Sequence, residues 1–226
     1  MPDFHEPADP IRRFVCTVPD NVNQWTPRWG KRELTWCVEH VIPALGRKRQ
    51  EELTAASFED WAQTCDLRFA KESAPLDADI RLTTGRGSRQ SLDGAGGTLA
   101  YAWLPGSADW RGPSSQVYDL DERWVAELDP QGGIVYRPVN CHESGHTLGL
   151  SHGPRGSLMQ ATYDPRLFSP QRDEIEQMVA LYGPPSKTRT PSGPNTRELF
   201  EQWYGSIRET ERIARELARA IGVDRE

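Results

Sequence analysis

The sequence predicts a mixed fold of the α/β or α+β class. Short runs rich in β-formers fall at 34–42, 66–70, 78–82, 98–105 and 116–124. Helical patterns fall between and after them, at 47–63, 138–150 and 169–183. Gly- and Pro-rich punctuation separates the two kinds of segment, and strands that alternate with helices define these classes. The 226 residues suffice for one domain with an appendage. Hydrophobic residues make up 36% and mean hydropathy is −0.69, so the core is lean. No apolar run approaches the ~18 residues of a membrane span. The 27 Lys+Arg against 33 Asp+Glu give a net charge of −6, which leaves no basic footprint for nucleic acid.

Residues 1–30 are polar and Pro-rich, without periodicity and without the charged-then-apolar pattern of a signal peptide. LTWCVEHVI (34–42) reads as the first strand. RKRQEELTAASFEDWAQ (47–63) places Leu53, Ala56, Phe58 and Trp61 on one helical face. DLRFA (66–70) and ADIRL (78–82) are short strands, followed by a Gly-rich loop at 85–97 and a strand, TLAYAWLP (98–105). QVYDLDERW (116–124) is a strand running into acidic residues. PVNCHESGHTLGLSH (138–152) is helical to about Leu150. In SPQRDEIEQMVALYG (169–183), Ser169 is the expected N-cap, Pro170 opens the first turn, Asp173 and Glu174 favour the helix start, and Gly183 ends it.

PPSKTRTPSGPN (184–195) reads as a linker. Beyond it, Phe200, Trp203, Ile207, Thr210, Ala214, Leu217 and Ile221 recur at spacings of 3 and 4. That seam belongs either to a helix docked on its own domain or to a coiled coil for self-association or a partner. Four cysteines, Cys16, Cys37, Cys65 and Cys141, are too few and too dispersed for a disulfide scaffold, and there is no CxxC pair. The sequence leaves open whether Cys37 and Cys65 are bonded.

The chemistry concentrates in HESGHTLGLSH (142–152), which holds three of the five histidines. His142 and His146 are one helical turn apart and leave the same face, a spacing that suits two imidazoles on one Zn²⁺. Glu143 stands beside the metal rather than on it, where it can take a proton from water activated there. Gly149 permits a sharp turn that returns His152 as third ligand, with the fourth position left open. Met159 follows, where a Met-containing turn should floor such a site.

HESGHTLGLSH with Met159 resembles the metzincin peptidases. The flanking segments RELTWCVEHV, ASFEDW, DADIRL, DGAGGTLAYAWLP, QVYDLDERW and DEIEQMVALYG are similar, in order from about Trp25 to Gly183, to the matrixins, the catalytic domains of matrix metalloproteinases. The resemblance implies an α+β, matrixin-like metzincin fold: a twisted, mostly parallel five-stranded sheet with three helices, here followed by a C-terminal helix. It divides the chain into an N-terminal segment (1–23), a zinc peptidase domain (24–183), a linker (184–196) and the helix (197–226).

The implied function is zinc endopeptidase activity on extended polypeptides, with Glu143 as general base. The alternative is a catalytically weak binding module, or an assembly protein, on the same scaffold. Leu99 and Ala100 would lie on the edge strand that pairs with substrate backbone. Leu158 and Tyr163 would line the pocket for the residue after the cut bond. Pro138 stands there in place of a larger apolar residue. Asp93, Asp119 and Glu122, with the carbonyls of Gly94, Gly96 and Thr98, map onto a Ca²⁺ site, although an acidic turn reads the same way. The family's second, structural zinc is not expected, because Tyr101 and Val117 occupy ligand positions and the remaining His5 and His40 lie elsewhere. FVCTVPD (14–20) is similar to the family's latency segment: Cys16, Val18, Pro19 and Asp20 match, while Phe14, Val15 and Thr17 depart. Cys16 is thus either a fourth zinc ligand of a latent form or a packed or free thiol. Fifteen residues precede it, too few for a folded prodomain. The resemblance favours an exported enzyme.

Overall fold

The structure, a computed structural model, describes residues 28–87, 92–106 and 114–186. The expectations for Cys16 and the rest of segment 1–23, for the linker beyond 186 and for the C-terminal helix fall outside these residues. The chain divides into two compact units, Met1–Ser186 and Lys187–Glu226, and every described residue belongs to the first.

Five strands form the main sheet: β1 (Glu33–Val38), β2 (Arg68–Lys71), β3 (Ile80–Gly85), β4 (Ala100–Ala102) and β5 (Ser114–Asp119). Their order is β2-β1-β3-β5-β4. The three pairings among β2, β1, β3 and β5 are parallel, and β4 runs antiparallel along the edge beside β5. Helices α1 (Arg47–Ala62), α2 (Tyr136–Thr147) and α3 (Arg172–Tyr182) complete the α+β architecture. α1 and α2 pack against each other, α1 beside β1 and β2 and α2 beside β4 and β5. Leu34, Trp36, Ile80 and Leu82 from the sheet meet Phe58, Trp61, Val139 and Leu148 from the helices in one core. None of the described helices is long and apolar enough to cross a membrane.

Several boundaries differ from the sequence-based expectation, each for a local reason. β1 ends at Val38 rather than 42. The N–H groups of Glu39 and His40 both turn to Leu82 O, and the turn around Pro43 closes with Leu45 N–H on Ile42 O. β5 stops at Asp119 because its carboxylate accepts the Asp121 N–H at 2.8 Å, a side-chain turn that takes the chain out of the sheet. A small parallel ribbon of β6 (Trp124–Val125) and β7 (Ile134–Val135), and a 3-10 turn at Pro75–Asp77, are too short to leave a periodic signal.

α2 begins at Tyr136, earlier than expected. Pro138 is tolerated in the first turn, where backbone N–H groups have no intrahelical acceptor to lose. The N-cap of α3 is Gln171, not Ser169. Gln171 forms a reciprocal capping box with Glu174, which satisfies the N–H groups at the helix start there. Gly183, at φ 84°, ends the helix as expected. Cys37, Cys65 and Cys141 are free, buried thiols, so Cys37 and Cys65 are not bonded.

Candidate metal centre

α2 carries the site, and its end makes it. The helix closes in a Schellman arrangement: Gly149 N–H reaches His146 O at 2.9 Å and Leu150 N–H reaches Gly145 O at 3.0 Å. Gly149 adopts φ 107°, a conformation that only glycine takes cheaply. The reversal places Leu150 O 2.7 Å from His146 Nδ1. From the other side, Leu158 O lies 2.8 Å from His142 Nδ1. A carbonyl only accepts, so both Nδ1 atoms are the protonated ones, and both Nε2 atoms carry lone pairs.

Those two Nε2 atoms lie 3.0 Å apart. His152 joins them, with ring centroids 5.5 Å from His142 and 4.9 Å from His146. One donor nitrogen from each of the three falls within 4.8 Å of the others. His152 Nε2 is buried and makes no hydrogen bond. Burial pushes the His142 imidazole down to about 3 and holds His146 well below its usual range; His152 is lowered for the same reason. Three neutral imidazoles with converging lone pairs form a donor set for a metal ion, and the facing pair gains from a cation between them. Among the described residues no other group of three or more His, Cys, Asp or Glu donors is gathered so closely.

Glu143 is fully buried beside the triad, and neither carboxylate oxygen has a hydrogen-bond partner. Burial alone raises its carboxyl to about 8. Neither oxygen is occupied by a donor, and a cation on the adjacent nitrogens would favour the carboxylate form that can accept a proton.

The floor of the site is Met159. A Cβ at Gly145, between His142 and His146, would come within 2.4 Å of Met159 Sδ and 2.9 Å of Trp61 Cζ2. Only the absent side chain lets the Met turn seat against the helix. Glu174 of α3 ties that turn down, accepting the Met159 N–H at 3.2 Å through one oxygen and the Gln171 N–H at 2.8 Å through the other. Trp61 of α1 donates its indole N–H to Cys141 O at 2.9 Å. At the helix end, Trp29 Nε1 donates to Thr147 O at 2.8 Å and the Tyr182 hydroxyl to Leu148 O at 2.8 Å.

Behind α2, Asn140 Nδ2 donates to Gln116 Oε1 at 3.0 Å and to the Tyr118 hydroxyl at 2.8 Å, and Gln116 Nε2 donates to Ser144 Oγ at 3.2 Å. This buried network joins β5 to the side of α2 away from the histidines and fixes the helix's rotation. The roles of Glu174, Trp61 and the Gln116, Tyr118 and Asn140 group in holding the site escaped the sequence reading, which placed Trp61 and Glu174 only on their helices. A Glu three residues after a helix cap was the one available hint.

The remaining expected residues divide. Leu99 and Ala100 are fully buried at the start of the edge strand. Leu158 is buried in the Met turn, and its carbonyl orients His142. The Tyr163 hydroxyl accepts the Val135 N–H at 2.9 Å, where α2 has no side-chain cap. Pro138 is buried in the first turn of α2.

Asp93, Asp119 and Glu122 are brought to one loop, each accepting a backbone N–H there: Thr98 to Asp93 at 2.6 Å, Gly94 to Asp119 at 3.1 Å and Gly96 to Glu122 at 2.6 Å. Their oxygens are not gathered as the imidazole nitrogens are. Tyr101 and Val117 face each other across β4 and β5, and Tyr101 packs edge-on against Trp103 with centroids 6.0 Å apart.

The matrixin family profile matches residues 28–183. The chain is 35% identical over 208 residues to interstitial collagenase of Sus scrofa, an alignment covering 87% of this chain and 42% of that protein. It is 33% identical over 174 residues to matrix metalloproteinase-18 of Xenopus laevis (74% and 36%) and 29% over 202 residues to neutrophil collagenase of Homo sapiens (84% and 42%). The chain thus spans about two fifths of the length of these curated relatives. With the profile covering well over half its length, the chain belongs to the matrixin family.

Proposed function

We propose that this chain is a zinc endopeptidase acting on extended polypeptides. The observation that carries the reading is the buried pair of unprotonated Nε2 atoms 3.0 Å apart, with His152 alongside and a partnerless Glu143 carboxylate next to them. His142, His146 and His152 would hold the ion. When bound, Zn²⁺ lowers the pKa of water toward ~7 and polarises a peptide carbonyl. Glu143 takes the proton of the attacking water and delivers it to the departing amine. Its buried position favours that return, because an isolated buried carboxyl holds a proton more tightly than one in water. Leu158 O and Leu150 O keep the two imidazoles in the tautomer that presents Nε2.

The outer edge of β4, from Leu99 and Ala100 onward, is the strand that substrate backbone would extend. Leu158, Pro138 and Tyr163 would meet the side chain after the cut bond. Asp93, Asp119 and Glu122, with the carbonyls of Gly94, Gly96 and Thr98, would hold a structural Ca²⁺. Burial and the neighbouring Asp93 both push the Asp119 carboxyl up, an acidic clustering that a cation relieves.

The test is cleavage of a mixed peptide library by the zinc- and calcium-loaded chain, read by mass spectrometry. Glu143→Ala should retain zinc and lose turnover by at least the roughly 10²–10⁴-fold of a lost general base. His152→Ala should lose metal as well. Undiminished cleavage by Glu143→Ala refutes the assignment.

A further inference from the structure

A cavity of about 570 Å³, lined in part by Tyr163, lies between the loop at 128–134 and the segment 155–166. None of the three histidines lines it. Its size is that of a ligand site. Leu128, Ile134, Tyr163 and Pro165 give it apolar walls, and three charged residues line it: Arg155, Asp164 and Arg166. Arg166 is committed, its guanidinium gripping Asp164 through Nε at 2.9 Å and Nη2 at 2.6 Å. The acids on the neighbouring loop are committed too, Glu127 to Arg49 at 2.9 Å and Asp129 to Arg123 at 2.6 Å. Arg155 forms no ion pair with any acid among the described residues. Among the described residues it is the cavity's one formal charge without a counter-charge.

Arg155 also stands on a braced turn. Ser157 closes that turn with its N–H at 3.2 Å and hydroxyl at 2.8 Å from Pro154 O. Gly156 N–H reaches Gln160 Oε1 at 2.7 Å, and Gln160 Nε2 reaches Thr162 O at 2.8 Å. The backbone that presents the guanidinium is therefore fixed before any ligand arrives, which lowers the ordering cost of binding.

We propose that this cavity is a specificity site for polypeptide downstream of the scissile bond, and that Arg155 there selects a carboxylate. The inference rests on the peptidase reading, which puts Tyr163 beside the residue that follows the cut. An apolar cavity with one uncompensated cation matches an acidic side chain flanked by apolar residues, or the terminal carboxylate of a short peptide.

The experiment takes a cleaved peptide and resynthesises it with Glu, Gln or Lys at the second to fourth positions after the cut. Each version is made with a free and with an amidated C-terminus. The Glu peptide should exceed the Gln peptide in kcat/KM by about three- to fivefold at low salt, with the gap shrinking as salt rises. Arg155→Gln should erase the ratio, and Arg155→Glu should turn it toward Lys. A Glu-over-Gln preference erased by Arg155→Gln assigns the carboxylate to the side chain; a free-acid-over-amide preference erased by Arg155→Gln assigns it to the terminus. Equal rates for Glu and Gln together with equal rates for free and amidated peptides, or a preference that outlives Arg155→Gln, overturn the proposal.

A second arm needs no turnover. The zinc-loaded Glu143→Ala chain captures a randomised peptide pool, and mass spectrometry counts the acidic residues retained, with and without Arg155→Gln. Enrichment that depends on Arg155 sustains the site even if the wild type cuts nothing, an outcome that would overturn the peptidase reading alone. No enrichment overturns the site.

Discussion

Gly145→Ala tests how the metal-bearing helix is seated. In an unconstrained helix interior, alanine is favoured over glycine by about 0.8–1.0 kcal/mol. Here the added methyl meets Met159 Sδ at 2.4 Å, Trp61 Cζ2 at 2.9 Å and Met159 Cε at 3.1 Å. The thioether can swing aside, because Met is unbranched and adaptable. The indole cannot do so freely: Trp61 is fully buried and its N–H is committed to Cys141 O. Overpacking of this kind costs about 1–3 kcal/mol or more. The two terms oppose, and the second wins for a contact under 3 Å against a fixed ring. The net expectation is a loss of about 0–2 kcal/mol, where propensity alone predicts a gain. At roughly 2–4 °C per kcal/mol, that is a fall of up to roughly 8 °C in Tm. Displacement of α2 from the Met turn should also move Leu158 O off His142 and weaken zinc retention. Thermal unfolding and competition with a chromogenic chelator measure both effects. A variant about 1 kcal/mol more stable, with unchanged zinc affinity, would refute the reasoning.

Two further perturbations address elements outside the metal ligands. Burial outweighs the Arg137 guanidinium 2.5 Å away and raises the Asp60 carboxyl to about 6, against ~3.9 in an unfolded chain, so the folded state binds this proton more tightly. Its contribution, of order 3 kcal/mol by 1.36 kcal/mol per pKa unit, is fully present below about pH 4 and is lost as pH rises through 6. Urea midpoints from pH 4 to 7 should show wild type losing ground to Asp60→Asn as pH rises; a constant difference between them excludes this. Glu174→Ala removes the acceptor for both Met159 N–H and Gln171 N–H and should cost about 1–3 kcal/mol, with faster zinc loss to a chelator. A destabilisation below 0.5 kcal/mol, roughly the floor for a lost cap, would mean the Met turn stands without α3.

The site was legible to the extent that its causes are local. His142 and His146 share a helix face through 3.6-residue periodicity, and Gly149 announces the turn that brings His152 round. Those are properties of eleven consecutive residues. The acceptors that set the tautomers are not: Leu158 O comes from the Met turn, and no spacing rule connects it to His142. The Gln116, Tyr118 and Asn140 network was unreadable for a related reason. A buried Gln in a strand looks like a solvent-facing polar residue until the sheet's register places it under α2. In the fold, long periodic elements came through and pieces of two residues did not. The misplaced cap of α3 shows two local rules in competition: Ser169 followed by Pro170 is the favoured start by residue type, but the reciprocal box with Glu174 places the cap at Gln171.

The placement of these supports says why the motif functions as a unit. His142 and His146 bring their Nε2 atoms to 3.0 Å from each other in a fully buried region. Rotation of α2 is opposed by the Asn140–Gln116 and Gln116–Ser144 bonds on its rear face. Fraying is opposed by Trp29 and Tyr182 on the last carbonyls, and translation by Trp61 on Cys141 O. The helix that carries His142 and His146 is thus held by several neutral hydrogen bonds, each worth about 1 kcal/mol net. Moving either donor nitrogen away with the helix would break several of them together. This pair of donors is held in place by bonds that an ion need not disturb, which lowers the ordering cost of binding one.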